Sequence, residues 1–238
     1  MTPASNHLLD AMPPDELRKL RPHLTQTRLH QGDVIQKAGA PIEHVYFPTE
    51  GMVSLVAELE SGEAIEIAAI GREGAIGTKV GLNPQFAFSS AVVQLPGSAF
   101  RIESARFQEA AFKNLAVMHI ATCANDIMIA NLQQSAACNA HHGVEARLAR
   151  WLLQAADHFD ADELPLTQHF LSQMLGARRT TVSLAAATLA KLHAVEYRRG
   201  KIHIKNRALL EQQSCGCYRA LTQNVKFICD LARATSST

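Results

Sequence analysis

Arg178 and Arg179 stand side by side, followed by Thr180 and then Ser183. Guanidinium forks donate paired hydrogen bonds to acceptor edges such as O6 and N7 of guanine, and small hydroxyl side chains bond beside them. Further along, Arg198-Arg199-Gly200-Lys201 gathers cations around a glycine. That grouping suits phosphate oxygens, which position a protein without reporting base sequence. A third set of reactive side chains is Cys138-Asn139-Ala140-His141-His142, and a fourth is Cys215-Gly216-Cys217. Thiols and imidazoles are metal ligands, yet neither group has a second pair at zinc-site spacing. Buried cysteines commonly serve as small apolar residues. No metal and no cofactor is therefore expected.

The elements that carry the arginines follow from local rules. Thr167 suits an N-cap and opens a helix to Leu175. Gly176 suits the left-handed residue that ends it. A tight turn at Ala177 and Arg178 leads into a second helix reaching about His193. Its apolar face is Val182, Ala185, Ala186, Leu189 and Leu192, set to pack on Leu171 and Leu175. The opposite face carries Arg179, Thr180, Ser183 and Ala187. Arginines at a helix N-terminus oppose the helix dipole, an arrangement easier to explain when an anion or base acceptor lies nearby. Val195-Glu196-Tyr197 and Ile202-His203-Ile204 then flank the basic turn as a hairpin. Helix, turn, helix and basic hairpin make a winged helix-turn-helix. In it Arg178, Arg179, Thr180 and Ser183 meet DNA bases, and Arg198, Arg199 and Lys201 meet the backbone.

Charge agrees. The chain of 238 residues has a net charge of +1, but Leu164 to Arg207 holds eight basic residues and one acid, Glu196, hence +7. Met1 to Asn139 sums to −4 and the remainder to +5. No apolar run approaches the roughly 18 residues of a membrane span, and no export signal opens the chain. The five cysteines, odd in number and unevenly spaced, fit a reduced compartment. A cytoplasmic location is expected.

Upstream of the basic segment the texture differs. Residues 13–24 read as a short amphipathic helix opened by prolines. From about Thr25 to Ile102, short apolar runs alternate with Gly and Pro turns, as in a roll, barrel or sandwich. Val53 to Leu59 and Glu63 to Ala68 form two strands, joined by a turn at Glu60-Ser61-Gly62. At Ser104, a plausible N-cap, helical texture begins. Leu115, Met118, Thr122, Asn125, Ile129 and Leu132, with Ala136, recur at spacings of three and four. Val117, Ile120, Ala124 and Ile127 form a second stripe. Two stripes imply two partners, read as the β domain and a second copy of the helix; an ordinary buried helix inside a monomer is the alternative. Residues 143–159 form a further amphipathic helix, with Leu148, Leu152 and Ala155 on one face and Trp151 and Ala156 beside it.

The chain resembles Crp/Fnr-family transcription regulators over nearly its whole length. The resemblance rests on His30-Gln31-Gly32-Asp33-Val34-Ile35 with Gly39, on Val45-Tyr46-Phe47 to Gly51, and on Thr167 to Leu192, where Leu175-Gly176-Ala177-Arg178-Arg179-Thr180-Thr181-Val182 follows the family's turn and recognition-helix start. It implies an α+β fold: a cyclic-nucleotide-binding-type β-roll over residues 1–103, linking and dimerisation helices over 104–139, and a winged helix-turn-helix over 140–238. It further implies a homodimer on a two-fold symmetric operator, its recognition helices about 34 Å apart, with RNA polymerase as a partner. Thr167 and Gln168 become candidate backbone contacts, and Leu184 stands where cyclic-AMP-responsive members carry arginine.

Cyclic-nucleotide binders of this fold set a Gly-Glu pair and an Arg-Ser/Thr-Ala turn around the phosphate. Here Ile70 to Gly77 and Phe86 to Ala91 replace them, and no Lys or Arg lies between Lys79 and Arg101. A buried phosphate without a cation costs several kcal/mol, so cyclic AMP and cyclic GMP are not expected in the usual geometry. No Cys precedes Cys123, which argues against the family's N-terminal [4Fe–4S] cluster. Any small-molecule effector is expected between the roll and the long helix, near Ile70 to Gly77 and Asn125 to Gln133. A ligand- or protein-binding adaptor that has lost DNA activity is the alternative function. It predicts a disrupted recognition helix, which Arg178 to Ser183 does not show. No nucleophile–base pattern suggests an enzyme.

Overall fold

Turn glycines and long apolar runs set the first half of the chain. The computed structural model describes residues 5–60, 62–81, 85–159, 163–198 and 200–234, with only the backbone of Gln168 and His169. Asn6 caps a short helix α1 (His7–Asp10), and its side-chain amide donates to the carbonyls of Pro48 and Gly74. The proline-opened helix α2 (Pro14–Leu20) follows and ends in a tight 3-10 turn, Arg21–His23. Then come strands β1 (Thr25–Leu29), β2 (Val34–Gln36), β3 (His44–Glu58), β4 (Ala64–Ile70) and β5 (Ser90–Glu103). They pair antiparallel in the order β1-β5-β3-β4, with β2 also on β5. The expected hairpin is present, with Glu58 opposite Ala64 and longer arms than the sequence suggested; Ser61 at its tip lies outside the described residues.

Strand β3 is buried along nearly its whole length. Both of its faces are covered, so its apolar run does not alternate. One side forms the roll interior with Val45, Phe47 and Val53. The other, through Met52, joins Ala69 and Leu95 in a second core beneath the C-terminal half. Gly51, at φ +84°, lets the bulged strand pass β5; a Cβ there would sit 2.6 Å from the Leu95 carbonyl oxygen.

Helix α3 (Ser104–Lys113) begins at Ser104, whose buried hydroxyl accepts from Gln108; the N-cap is Glu103 rather than Ser104. Asn114 caps the long helix α4 (Leu115–His141), accepting from the backbone of Ala116 and Val117. By length and apolar composition α4 would suffice to cross a membrane. Instead its second stripe, Val117, Ile120, Ala124 and Ile127, is buried in the roll's core. The first stripe divides. Leu115 is 87% exposed and Ile129 48% exposed. Thr122 is also exposed, whereas Met118 and Leu132 lean on the core and Asn125 accepts from the Thr78 hydroxyl.

Helix α5 (Val144–Phe159) departs from the one-sided reading: Arg147 to Ala156 are all buried. It is wedged between the roll, the helix-turn-helix segment and the C-terminal helices, so every side meets protein. Beyond it lie β6 (Glu163–Leu164), α6 (Gln168–Met174), α7 (Arg179–Lys191), β7 (Val195–Arg198), β8 (Lys201–Ile204), α8 (Arg207–Gln213) and α9 (Cys217–Ala234). The last helix was not anticipated. It runs back along α4 and places Cys229 and Ala232 in the roll's core. The expected α+β architecture is thus present: β-roll, long helix, then helix-turn-helix with a wing.

Candidate nucleic-acid interface

Thr167 accepts from the Phe170 amide and caps α6. Gly176 follows at φ +54°, where an L side chain is disfavoured, and a Cβ there would press on Ile65 of β4 at 3.2 Å. Helix α7 buries Val182, Ala185, Ala186 and Leu189 against Leu171 and Leu175. Leu192 is 40% exposed instead, because it caps the helix just before His193 turns the chain at φ 56°.

On the far side Arg178, Arg179, Thr180, Thr181, Leu184 and Ala187 are exposed, and Ser183 is half-buried. Arg178 occupies the N-cap and Arg179 opens the helix. Neither has an ion-pair partner among the described residues. Leu184 is 71% exposed at the middle of this face, an apolar contact of the kind that suits a thymine methyl.

The wing is the expected hairpin, with Arg198 opposite Lys201 and Gly200 at φ +80°. A third strand, β6, was missed; it pairs with β8. It brings Glu163, just outside the counted basic window. Lys201 and His203 both pair with Glu163, and Arg198 pairs with Glu196 at 2.7 Å. The Lys201 hydrogen bond holds Glu163, and the Arg198 hydrogen bond holds Glu196, below the usual carboxylate range. Phosphates would therefore compete with two internal acids at the wing. Arg199 lies outside the described residues, as does the side chain of Gln168.

The face and the roll share a junction. Trp151 of α5 donates from its indole to Glu66 of β4 at 2.8 Å, and Ser54 donates to the same carboxyl. Burial pushes this acid up to about 7, against the opposing effects of Ser54, Arg150 and Trp151. Gln94 and Gln31 of the roll reach Met174 and the Pro165 carbonyl.

A cavity of 530 Å³ opens where the roll meets the helices. Arg72, Glu73 and Asn131 come from the two segments expected to flank it, while α5 and α9 supply Asp157, His158, Tyr218 and Lys226. The Glu73 carboxylate accepts from the Gly71 amide and pairs with His158 at 3.2 Å. Arg72 donates to the Asp157 carbonyl, away from the roll interior. Lys79 lies over the Phe88 ring and donates to the Phe86 carbonyl.

The cysteine groups need correction. Each lacks a second pair in its own stretch of sequence, but the fold makes each the other's second pair: Cys138, His142, Cys215 and Cys217 meet in one place. No local spacing announces a meeting across 77 residues.

Residues 146–213 match the Crp-like helix-turn-helix domain, and residues 26–114 match the cyclic nucleotide-binding domain. No curated protein matches the chain in sequence. Among solved structures it is similar to FixK2 from Bradyrhizobium japonicum, at TM-score 0.69 and 18% identity over 81% of this chain and 98% of that one. A CRP-family transcriptional regulator from Thermus thermophilus gives 0.66 and 17%, over 79% and 96%. The c-di-GMP responsive global regulator CLP from Xanthomonas campestris gives 0.62 and 14%, over 81% and 99%.

Proposed function

The chain has the Crp/Fnr transcription-regulator fold, with a helix-turn-helix DNA-binding domain on a cyclic nucleotide-binding-type roll, and from that premise we propose that it acts as a cytoplasmic homodimer on a two-fold symmetric operator. The observation that carries the reading is the exposed start of α7, where two arginines without ion-pair partners among the described residues stand beside Thr180. Arg178, Arg179, Thr180 and Ser183 read bases. Thr167, Gln168, Arg198, Arg199 and Lys201 hold the backbone, the paired wing cations exchanging Glu163 and Glu196 for phosphate. The exposed part of the α4 stripe, Leu115, Thr122 and Ile129, meets the second copy, with Met118, Asn125 and Leu132 at its edge. RNA polymerase is the partner at the promoter, and the protein is a binder, not an enzyme.

The effector end is proposed with different chemistry from cyclic nucleotides. Lys79 is committed to Phe86 and Phe88, and Arg72 turns toward α5. A small effector would instead occupy the cavity at Arg72, Glu73 and Asn131. It would shift the DNA heads only by its differential affinity for their poses. Selection from random double-stranded oligonucleotides tests the core of the proposal. A palindromic motif is expected; recovery of no motif, with or without cell extract, overturns it.

A further inference from the structure

The end of the long helix and the start of the last helix meet at a cluster of four potential ligands. Cys138 sits in the last turn of α4, and His142 leaves that helix as its C-cap in an extended conformation. Cys215 lies in the turn after α8, and Cys217 opens α9. Cys138 Sγ lies 3.5 Å from Cys215 Sγ, and Cys217 Sγ lies 3.6 Å from His142 Nδ1. All four ligand atoms fall within 4.8 Å of one another. The three thiols are buried and His142 is half-buried.

We propose that Cys138, His142, Cys215 and Cys217 form a mononuclear Cys3His site for zinc. With Zn–S near 2.3 Å and Zn–N near 2.0–2.1 Å, a tetrahedron has ligand–ligand edges of about 3.6–3.8 Å. The Cys138–Cys215 and Cys217–His142 separations lie close to those edges, and the remaining ligand atoms, all within 4.8 Å, need move by no more than about an ångström. A cluster of several irons needs its thiolates on different metal atoms and so farther apart. A disulfide would need sulfurs about 2.0 Å apart and would leave Cys217 and His142 facing each other for no purpose. Binding releases three thiol protons as three thiolates form on the ion, so the filled site carries one net negative charge. The surroundings suit that charge. Arg147 and Arg150 are buried nearby, and neither Nε has a hydrogen-bond partner among the described residues. Arg147 is within electrostatic range of Cys138 and Cys215, and Arg150 of Cys138.

The site also has a position that matters. His142 and Gly143 form the joint between α4 and α5. Arg147, one turn on, donates to the Leu175 carbonyl at 2.5 Å, next to the glycine that turns α6 into α7. The ion therefore ties the long helix to the last helix, and Arg147 links that joint to the turn between α6 and α7.

Cobalt(II) titration of the metal-stripped, fully reduced full-length chain tests this directly. The expected result is uptake of one cobalt per chain with the intense visible bands of a tetrahedral thiolate site, bleached by zinc. His142→Ala should keep a cobalt signal with shifted bands and an affinity at least about tenfold lower. Cys138→Ser with Cys217→Ser should lose it, while Cys123→Ser and Cys229→Ser, which change thiols outside the cluster, should keep it. Weak octahedral bands, or no stoichiometric uptake by the wild-type chain, overturn the site whatever the variants do. So does a Cys138–Cys215 disulfide in protein isolated anaerobically under mild reduction.

Discussion

Replacing Glu66 by Gln should change how stability depends on pH. The folded chain holds the Glu66 proton up to about 7, whereas the unfolded chain releases it near 4.5. The difference of about 2.5 units, at about 1.4 kcal/mol per unit, is worth about 3 kcal/mol. The folded state binds more protons than the unfolded state inside this window. Stability contributed by the neutral acid is therefore fully present below pH 4.5 and is lost as pH rises through 7. Glutamine keeps the shape, can accept from Trp151 and donate to Ser54, and never ionises. Urea unfolding at fixed chain concentration, in steps from pH 4 to 8, measures both proteins. Trp151, the single tryptophan, reports from the site itself. The variant should gain about 3 kcal/mol on the wild type across that range, most of it between pH 4.5 and 7. Parallel stability curves would show that Glu66 does not titrate in this window and would refute the reasoning.

Arg179→Ala should cost about 1–3 kcal/mol at one base position of the selected motif, while Arg198→Ala should weaken all sequences alike and lower the salt slope by about one; binding isotherms at several salt concentrations distinguish them. Gly176→Ala should destabilise the chain by about 1–2 kcal/mol, from the left-handed backbone alone, with pressure on Ile65 adding to it; denaturant melts check this. Leu115→Asp combined with Ile129→Asp should shift the protein to monomer in sedimentation, with secondary structure retained. Calorimetry with cyclic AMP should give no micromolar binding, and a micromolar isotherm would mean that a phosphate finds a cation other than Lys79.

Much of the DNA head could be read from local chemistry. Thr167, Gly176 and Gly200 dictate a cap, a left-handed turn and a hairpin tip within a few residues of themselves, and the backbone obeys. The charge count was less complete, because Glu163 lies one residue before the counted window yet pairs across the sheet with Lys201. Helix α5 looked one-sided, since sequence periodicity reports polarity and not the number of neighbours; Arg147 and Arg150 are buried despite their charge. Contacts between distant residues were out of reach. Glu66 and Trp151 are 85 residues apart, and nothing in either stretch marks the pairing. The same holds for the four metal-type ligands, which required the path of α9 to be known.

That path bears on the order in which the protein can be made. The core of the N-terminal roll, which holds Leu8, Ile120 and Ala124, also takes in Cys229 and Ala232. A ribosome releases the roll and the long helix well before those residues emerge, so the nascent roll waits with an open seam along α4 while the DNA head is synthesised. Domains generally fold as units in order of synthesis, but here the core of the first unit is completed only by the last described helix. The seam is apolar, so the interval before closure leaves core surface open to water.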